Sequence, residues 1–232
     1  MTEVIKIDWS LRCRANEIDQ PLGNDFLMKE RGVYAWIYKN RANGRFTYVG
    51  KSVQNPFKKR FSEHFKSFFG CGYALYEIDE DTDYLDFLAR EVLGRKFDDS
   101  YLTAHDKICW YTRLDSHEFF RATFRTNIEK RLRILEHHLD HLEFVFGTVS
   151  GSNGQNFAQT VSRAEAGLGT VIHNSYLAEL QSRQVELSGS RGLQWPAGRA
   201  DDTLVGRHPL NKKVQPPIFE HRNAPAELQR IL

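Results

Sequence analysis

The chain reads as an α+β fold, a small central antiparallel β-sheet flanked by helices and interrupted by inserted segments. Three observations predict it. Val33-Tyr34-Ala35-Trp36-Ile37-Tyr38 and Phe46-Thr47-Tyr48-Val49 are rich in aromatic and β-branched residues, as strands prefer. The connection between them, Lys39 to Arg45, carries an Asn43-Gly44 pair that readily adopts positive φ and so turns a hairpin. Directly afterwards Phe57, Phe61, Phe65 and Phe68 recur at helical spacing, the mark of a core-facing stripe.

Within the hairpin, side chains alternate across each strand, so Tyr34, Trp36 and Tyr38 share one face, and an antiparallel partner brings Tyr48 near Tyr34. Asn55 is a good helix N-cap, and Pro56 suits the first helical position, where its missing N–H costs nothing. Gly70-Cys71-Gly72 ends that helix. The segment Glu77 to Asp86 is strongly acidic; it lacks the glycine and terminal glutamate of an EF-hand, and reads as a solvated loop that repels polyanions.

Ile108-Cys109-Trp110-Tyr111 predicts a strand within Asp106 to Leu114. Phe120, Phe124, Ile128, Leu132, Leu135, Leu139 and Leu142 predict one long amphipathic helix. Phe144 to Val149 predicts the next strand, and Gly151 to Asn156 a loop too short and wrongly composed to cradle phosphate as a P-loop does. A helix around Ser162 to Gly169 follows, then the glycine-rich Ser188 to Gly192. The proline-bearing segments Val214 to Pro217 and Asn223 to Pro225 read as an extended tail able to pack across a partner subunit.

At 232 residues the chain fits a single domain spanning 1–232, with its core at about 30–70 and 142–184 and insertions at 71–141 and 185–232. The net charge of +2 is too small to advertise a nucleic-acid partner, so any such affinity comes from local clustering. Lys51, Lys58, Lys59, Arg60 and Lys66 against Glu63 supply such a cluster. Cys13, Cys71 and Cys109 are too widely spaced for a disulfide framework or a zinc site. No apolar run approaches a membrane span and the N-terminus lacks a signal-peptide core, so no membrane partner and a cytoplasmic protein are expected.

The chemistry-bearing residues fall in a telling order. Two strands present the phenols Tyr34 and Tyr48. The helix then presents Arg60 and His64 one turn apart, on one flank of its aromatic stripe. A guanidinium there can grip a phosphate through two hydrogen bonds. Gly32-Val33-Tyr34, Tyr48-Val49-Gly50, Lys51-Ser52 and Arg60-Phe61-Ser62-Glu63-His64 together resemble the GIY-YIG nuclease family, with Val replacing Ile in both tripeptides. A hairpin and amphipathic helix whose tyrosines merely pack in a core would explain the apolar residues but not the ordered set.

The resemblance implies a metal-dependent DNA endonuclease, with one helical glutamate binding a divalent ion after the third strand. Glu165, among the small residues Ala164, Ala166, Gly167 and Gly169 that allow close approach, is favoured over Glu136 in Ile134-Leu135-Glu136. The family's asparagine beyond that helix is matched by Asn211 in His208-Pro209-Leu210-Asn211, or by Asn174. His137 and His141, one turn apart with Asp140 nearby, offer a rival zinc site. They lack the intervening glutamate of His-Glu-x-x-His, and an exposed polar helix face explains His137, His138 and His141 more simply.

On this reading Glu165 holds Mg²⁺ or Mn²⁺, which stabilises the leaving 3′ oxygen. Arg60 pairs with the scissile phosphate, and Tyr34 orients the attacking water or relays its proton. A phenol with a pKa of about 10 is a poor base at neutral pH, so His64 or Lys51 assists it. Tyr48 hydrogen-bonds phosphate or water. The inserted segments favour a sequence-specific restriction-type enzyme, working as a homodimer or by sequential nicks. The alternatives are a non-catalytic DNA-binding module and a structure-selective or single-strand-selective repair or mobile-element nuclease.

Overall fold

The computed structural model describes residues 4–17, 24–69, 75–87, 108–109, 128–151, 156–182 and 217–231. In chain order these form β1 (Val4–Arg14), a 3-10 turn (Ala15–Glu17), α1 (Asp25–Lys29), β2 (Gly32–Lys39), β3 (Gly44–Ser52) and α2 (Phe57–Phe69). There follow β4 (Leu75–Tyr76), α3 (Tyr84–Phe87), β5 (Ile108–Cys109), α4 (Ile128–Asp140), β6 (Leu142–Gly151), α5 (Phe157–Ser182), β7 (Ile218–Arg222) and α6 (Ala226–Gln229). The fold is α+β, as expected.

The main sheet has five strands in the order β3-β2-β6-β1-β7. It is mixed and not wholly antiparallel, because β7 runs parallel to β1 while the other pairs are antiparallel. β4 and β5 make a separate two-stranded ladder.

Strand alternation divides the buried residues between two faces. One face carries Ile5, Ile7, Trp9, Val33, Ala35, Ile37, Val145 and Val149 against Val161, Ala164, Leu168 and Ile172 of α5. The opposite face carries Tyr34, Trp36, Phe144 and Phe146 against Phe57, Phe61 and Phe68 of α2 and Ile134 and Leu135 of α4. Each fully buried phenylalanine stabilises this layer by roughly 1.5–3 kcal/mol. In β1 a register shift between Trp9 and Leu11 swaps faces, so Ile5, Ile7 and Trp9 look toward α5 while Leu11 and Cys13 join the α2–α4 layer.

The hairpin and the phenylalanine helix form where expected. Pro56 lies just before α2, its carbonyl accepting from the Lys59 and Arg60 N–H groups. One boundary is corrected. Leu142 begins β6 instead of ending a helix, because the chain breaks at His141 and Leu142 pairs with Tyr38 across the sheet. The helix itself is described from Ile128; Phe120 and Phe124 lie outside the described residues, as do Trp110 and Tyr111 of the expected strand.

The N-terminal segment, given no element in the sequence reading, is a sheet strand: Ile5, Ile7 and Trp9 alternate with Lys6 and Asp8, which is strand periodicity. Of the expected tail, residues 214–216 lie outside the described residues, while Asn223 to Pro225 joins β7 to α6 within the fold. Phe219 packs so closely on Gly167 of α5 that a β-carbon there would stand 2.5 Å from the ring.

The acidic loop is docked rather than solvated. Arg45 donates to Asp83 and Glu179 at 2.6 Å each, Arg133 donates to Glu77 at 2.8 Å, and the His141 imidazole meets Glu80 at 2.6 Å. Asn40 adds hydrogen bonds to the Asp79 and Thr82 carbonyls. Arg12 joins Glu143 of β6 to Glu227 of α6, tying the C-terminal helix to the central strands. Among the described residues no helix is long and apolar enough to cross a membrane.

Candidate active site

The hairpin register sets the centre of the site. Tyr34 pairs with Gly50 and Trp36 with Tyr48, so the three aromatic side chains project from one face of β2 and β3. The Tyr34 and Tyr48 rings stack at 6.1 Å, and Tyr48 stacks on Trp36 at 4.3 Å. Gly50 is where the Tyr34 ring lies across the neighbouring strand: a β-carbon would overlap its Cζ and phenol oxygen.

Above this pair α2 presents Arg60 and His64. The Tyr34 phenol oxygen lies 2.5 Å from His64 Nε2, and Arg60 Nε donates to the same oxygen at 3.3 Å. A phenol oxygen that accepts from Arg60 can donate its single proton to an unprotonated Nε2. His64 is fixed by the edges of aromatic rings, with Trp36 at 4.9 Å and Tyr48 at 5.6 Å. Tyr34 and His64 are each 1% exposed, whereas the Arg60 side chain is 34% exposed. The guanidinium is therefore the group of this cluster that reaches solvent, with the half-buried Tyr48 beside it.

Arg60 is held firmly charged. Burial alone would lower its pKa, but the Tyr34 and Tyr48 phenols and the Glu63 carboxylate outweigh that and raise it above the ordinary value. Glu63, one turn along α2, accepts from Arg60 Nη1 at 2.5 Å. Glu63 and Trp36 are neighbours of this cluster to which the sequence assigned no role. The three-residue spacing of Arg60 and Glu63 on a helix was the available signal for the first.

Lys51 and Glu165 form a second cluster. Lys51 follows Gly50 on the edge strand β3, pairs with Val33, and so points to the α5 face, away from the Tyr34 face. There its ammonium meets Glu165 Oε2 at 2.9 Å; the Glu165 side chain is 6% exposed and that of Lys51 34%. The structure thus unites Tyr34, Tyr48, Arg60 and His64 on one side of the β2–β3 edge, and places Lys51 with Glu165 directly behind them.

The remaining candidates stand apart. Glu136 is exposed on α4 and Asn174 exposed on α5. Asn211 lies outside the described residues. His137, His138 and His141 do not form an exposed face. His138 is 3% exposed, His137 Nε2 lies 3.0 Å from the Tyr38 phenol oxygen, and His141 is engaged by Glu80. Among the described residues no group of three or more His, Cys, Asp or Glu side chains is arranged to hold a metal ion.

Glu165 fits a hard divalent ion by donor type, since Mg²⁺ takes oxygen ligands and uses one or two carboxylates beside water and substrate phosphates. Such an ion must share the carboxylate with Lys51 or displace its ammonium. No family model, curated protein or solved structure matches this chain.

Proposed function

We propose that the protein is a DNA endonuclease of the GIY-YIG type, hydrolysing phosphodiester bonds in the cytoplasm, in a sequence-specific, restriction-type role. The observation that carries this reading is the Tyr34 phenol oxygen held between His64 Nε2 at 2.5 Å and Arg60 Nε at 3.3 Å. Core packing alone gives a phenol no reason to meet a buried imidazole and a guanidinium together.

In the proposed reaction the Arg60 guanidinium leaves Glu63 and binds the scissile phosphate, whose charge grows as the attacking oxygen approaches. An Arg–Glu pair near the surface contributes little, roughly 0–1 kcal/mol, so a phosphate can displace it. Tyr34 takes a proton from the attacking water as its own passes to His64 Nε2. That relay removes the need for a standing phenolate. Tyr48 hydrogen-bonds the phosphate or the water. Glu165 is the residue to hold Mg²⁺ or Mn²⁺, with Lys51 beside it; when bound, the ion supplies Lewis-acid stabilisation of the leaving 3′ oxygen. The products are a 5′ phosphate and a 3′ hydroxyl. Two copies acting together, one per strand, would make a double-strand cut.

The 1% exposure of Tyr34 favours a second reading, a DNA-binding module that does not cut. Supercoiled plasmid and single-stranded DNA, each with Mg²⁺ or EDTA, decide between them using wild type, Arg60→Ala and Glu165→Ala. Discrete plasmid fragments that need Mg²⁺, Arg60 and Glu165 support the restriction-type enzyme. Cutting of single strands alone moves the role toward repair or mobile elements. Binding without cleavage under any divalent ion leaves the binding module.

A further inference from the structure

The α2–α4 face of the sheet is covered over only part of its area among the described residues. Past Tyr34 on β2, the register runs Gly32 to Thr148 on β6, Thr148 to Asp8 on β1, and Asp8 to Arg222 on β7. Lys6, Asp8, Thr148, Ser150, Glu220 and Arg222 therefore project from the same face as Tyr34, and they line a groove of about 420 Å³. All six are polar, while the residues alternating with them in β1 and β7 (Ile5, Ile7, Phe219, His221) turn toward α5. The register shift after Trp9 is what confines this polar surface to the first half of β1.

We propose that the β1–β7 ribbon reads base edges in the major groove of the DNA bound at the Tyr34 cluster, with Arg222 as the main sequence-determining side chain. The inference rests on the DNA-substrate reading above and names the surface that makes it sequence-specific. β7 is the outermost strand of the sheet, and β1, held to β6 on its other side, lies next to it, so the polar strip stands at the sheet's rim, the part that a major groove of about 12 Å can receive.

The charges suit bases better than backbone. A phosphate-binding strip would be uniformly cationic, but this ribbon pairs two cations with two carboxylates: Lys6 with Glu220 at 2.9 Å, and Arg222 near Asp8 at 3.9 Å. Base edges present both acceptors and donors, which match Arg or Lys on one hand and Asp or Glu on the other. Both pairs are surface pairs, with Arg222 80% and Lys6 62% exposed, so they open readily for a ligand. Asp8 is itself braced by Asn223 Nδ2 at 3.1 Å, and Asn223 turns the chain at φ 54 immediately after Arg222.

The placement also fits a short recognition site. Arg222 lies three strand spacings from β2, about 14 Å across and about 7 Å along the strands from Tyr34. That separation corresponds to four or five base-pair steps of about 3.4 Å.

The test is selection of bound duplexes from a randomised library in EDTA, using full-length wild type, Arg222→Lys and Arg222→Ala, with the salt dependence of binding measured in parallel. We expect wild type to enrich a short motif. Arg222→Lys, which keeps the charge but loses the bidentate fork, should lose about ten- to hundred-fold of its preference at one position or more, with an unchanged salt slope. A wild type that binds without any motif overturns the inference, as does a motif unchanged in Arg222→Lys and Arg222→Ala. Uniform weakening in Arg222→Ala alone, with a shallower salt slope, makes Arg222 a phosphate contact and overturns it equally. Motif selection by a wild type that never cuts would sink the nuclease reading and leave the ribbon standing. Thermal melting of both variants checks the fold, which an exposed position leaves intact.

Discussion

Gly50 lies under the Tyr34 ring, and the phenol reaches His64 and Arg60 only because Gly50 has no side chain. In Gly50→Ala the new β-carbon overlaps the ring and the phenol oxygen, and the ring has little room to retreat, since Phe57 and Phe146 lie on its other sides. The expected outcome is destabilisation of about 1–3 kcal/mol, as for other overpacked cores. DNA cleavage should fall beyond what the folded fraction explains. Urea melts alongside plasmid cleavage check this; unchanged melting with full cleavage would show that Tyr34 need not lie across Gly50.

Tyr34→Phe removes one oxygen and keeps the ring. Cleavage should drop by about 10²–10⁴, the usual contribution of a positioned proton-transfer group. Because the phenol's hydrogen bonds to His64 and Arg60 are lost in a buried setting, stability should also fall, by about 1–2 kcal/mol. His64→Ala should mimic the rate loss, and the double variant should be no slower than Tyr34→Phe if the two act as one relay. Multiplicative losses would separate them.

The half of the fold that positions this cluster was legible because its signals are local. The aromatic runs make the strands and the phenylalanine spacing makes α2, all within residues 32–69. The turn itself runs from Asn40 to Asn43, whose backbones hydrogen-bond at 3.1 Å, and neither Asn43 nor Gly44 takes the expected positive φ, Gly44 already pairing with Lys39 in β3. β1 and β7 were not read because their partners are remote: β1 pairs with β6 and β7, far along the chain, and the short β7 run beside two prolines resembles a tail. The docked acidic loop was misread for the same reason. Its partners, Arg45, Arg133 and His141, come from β3, α4 and the junction between α4 and β6. For Glu165 the sequence located the residue and its small neighbours. It did not show that alternation on β3 sends Lys51 and Gly50 to opposite faces, which decides on which side of the sheet the carboxylate lies.

Lys51 and Glu165 make a directed prediction. Lys51→Met removes an ammonium from a carboxylate that is 6% exposed. Losing one partner of a fully buried pair costs about 3–5 kcal/mol, and the partial exposure of Lys51 reduces this to about 2 kcal/mol. Lys51→Met/Glu165→Leu should regain most of that stability, since an apolar pair replaces the ions, yet should not regain cleavage. A double variant that cuts like wild type would remove both residues from the mechanism. One that melts no higher than Lys51→Met would show that the pair is not what Lys51 stabilises.

Stability should fall on mild acidification, and His138 is the main reason. Its imidazole is buried between the Phe68 and Tyr38 rings, at 5.8 and 5.9 Å. Burial, then the neighbouring His137 and His141, pushes its pKa from 6.5 down to about 3. The folded form thus stays neutral while the unfolded chain takes up a proton below about pH 6.5. Stability is complete above 6.5 and falls between 6.5 and about 3, by about 1.4 kcal/mol for each pH unit well inside that window. His137, lowered mainly by burial and then by His141, adds to the slope. The docked carboxylates enter later. For Asp83 and Glu227 burial acts to raise the pKa, but Arg45 and Arg12 outweigh it and hold both below the usual carboxylate range. Their stabilisation is present above the unfolded carboxylate pKa and disappears as pH drops through the folded one, beneath most of the histidine window. Urea melts at pH 7.5, 6.0 and 5.0 should therefore show a steady loss in wild type and a distinctly flatter profile in His138→Leu. Equal slopes in the two proteins would mean that His138 takes up its proton in the folded state as readily as in the unfolded chain.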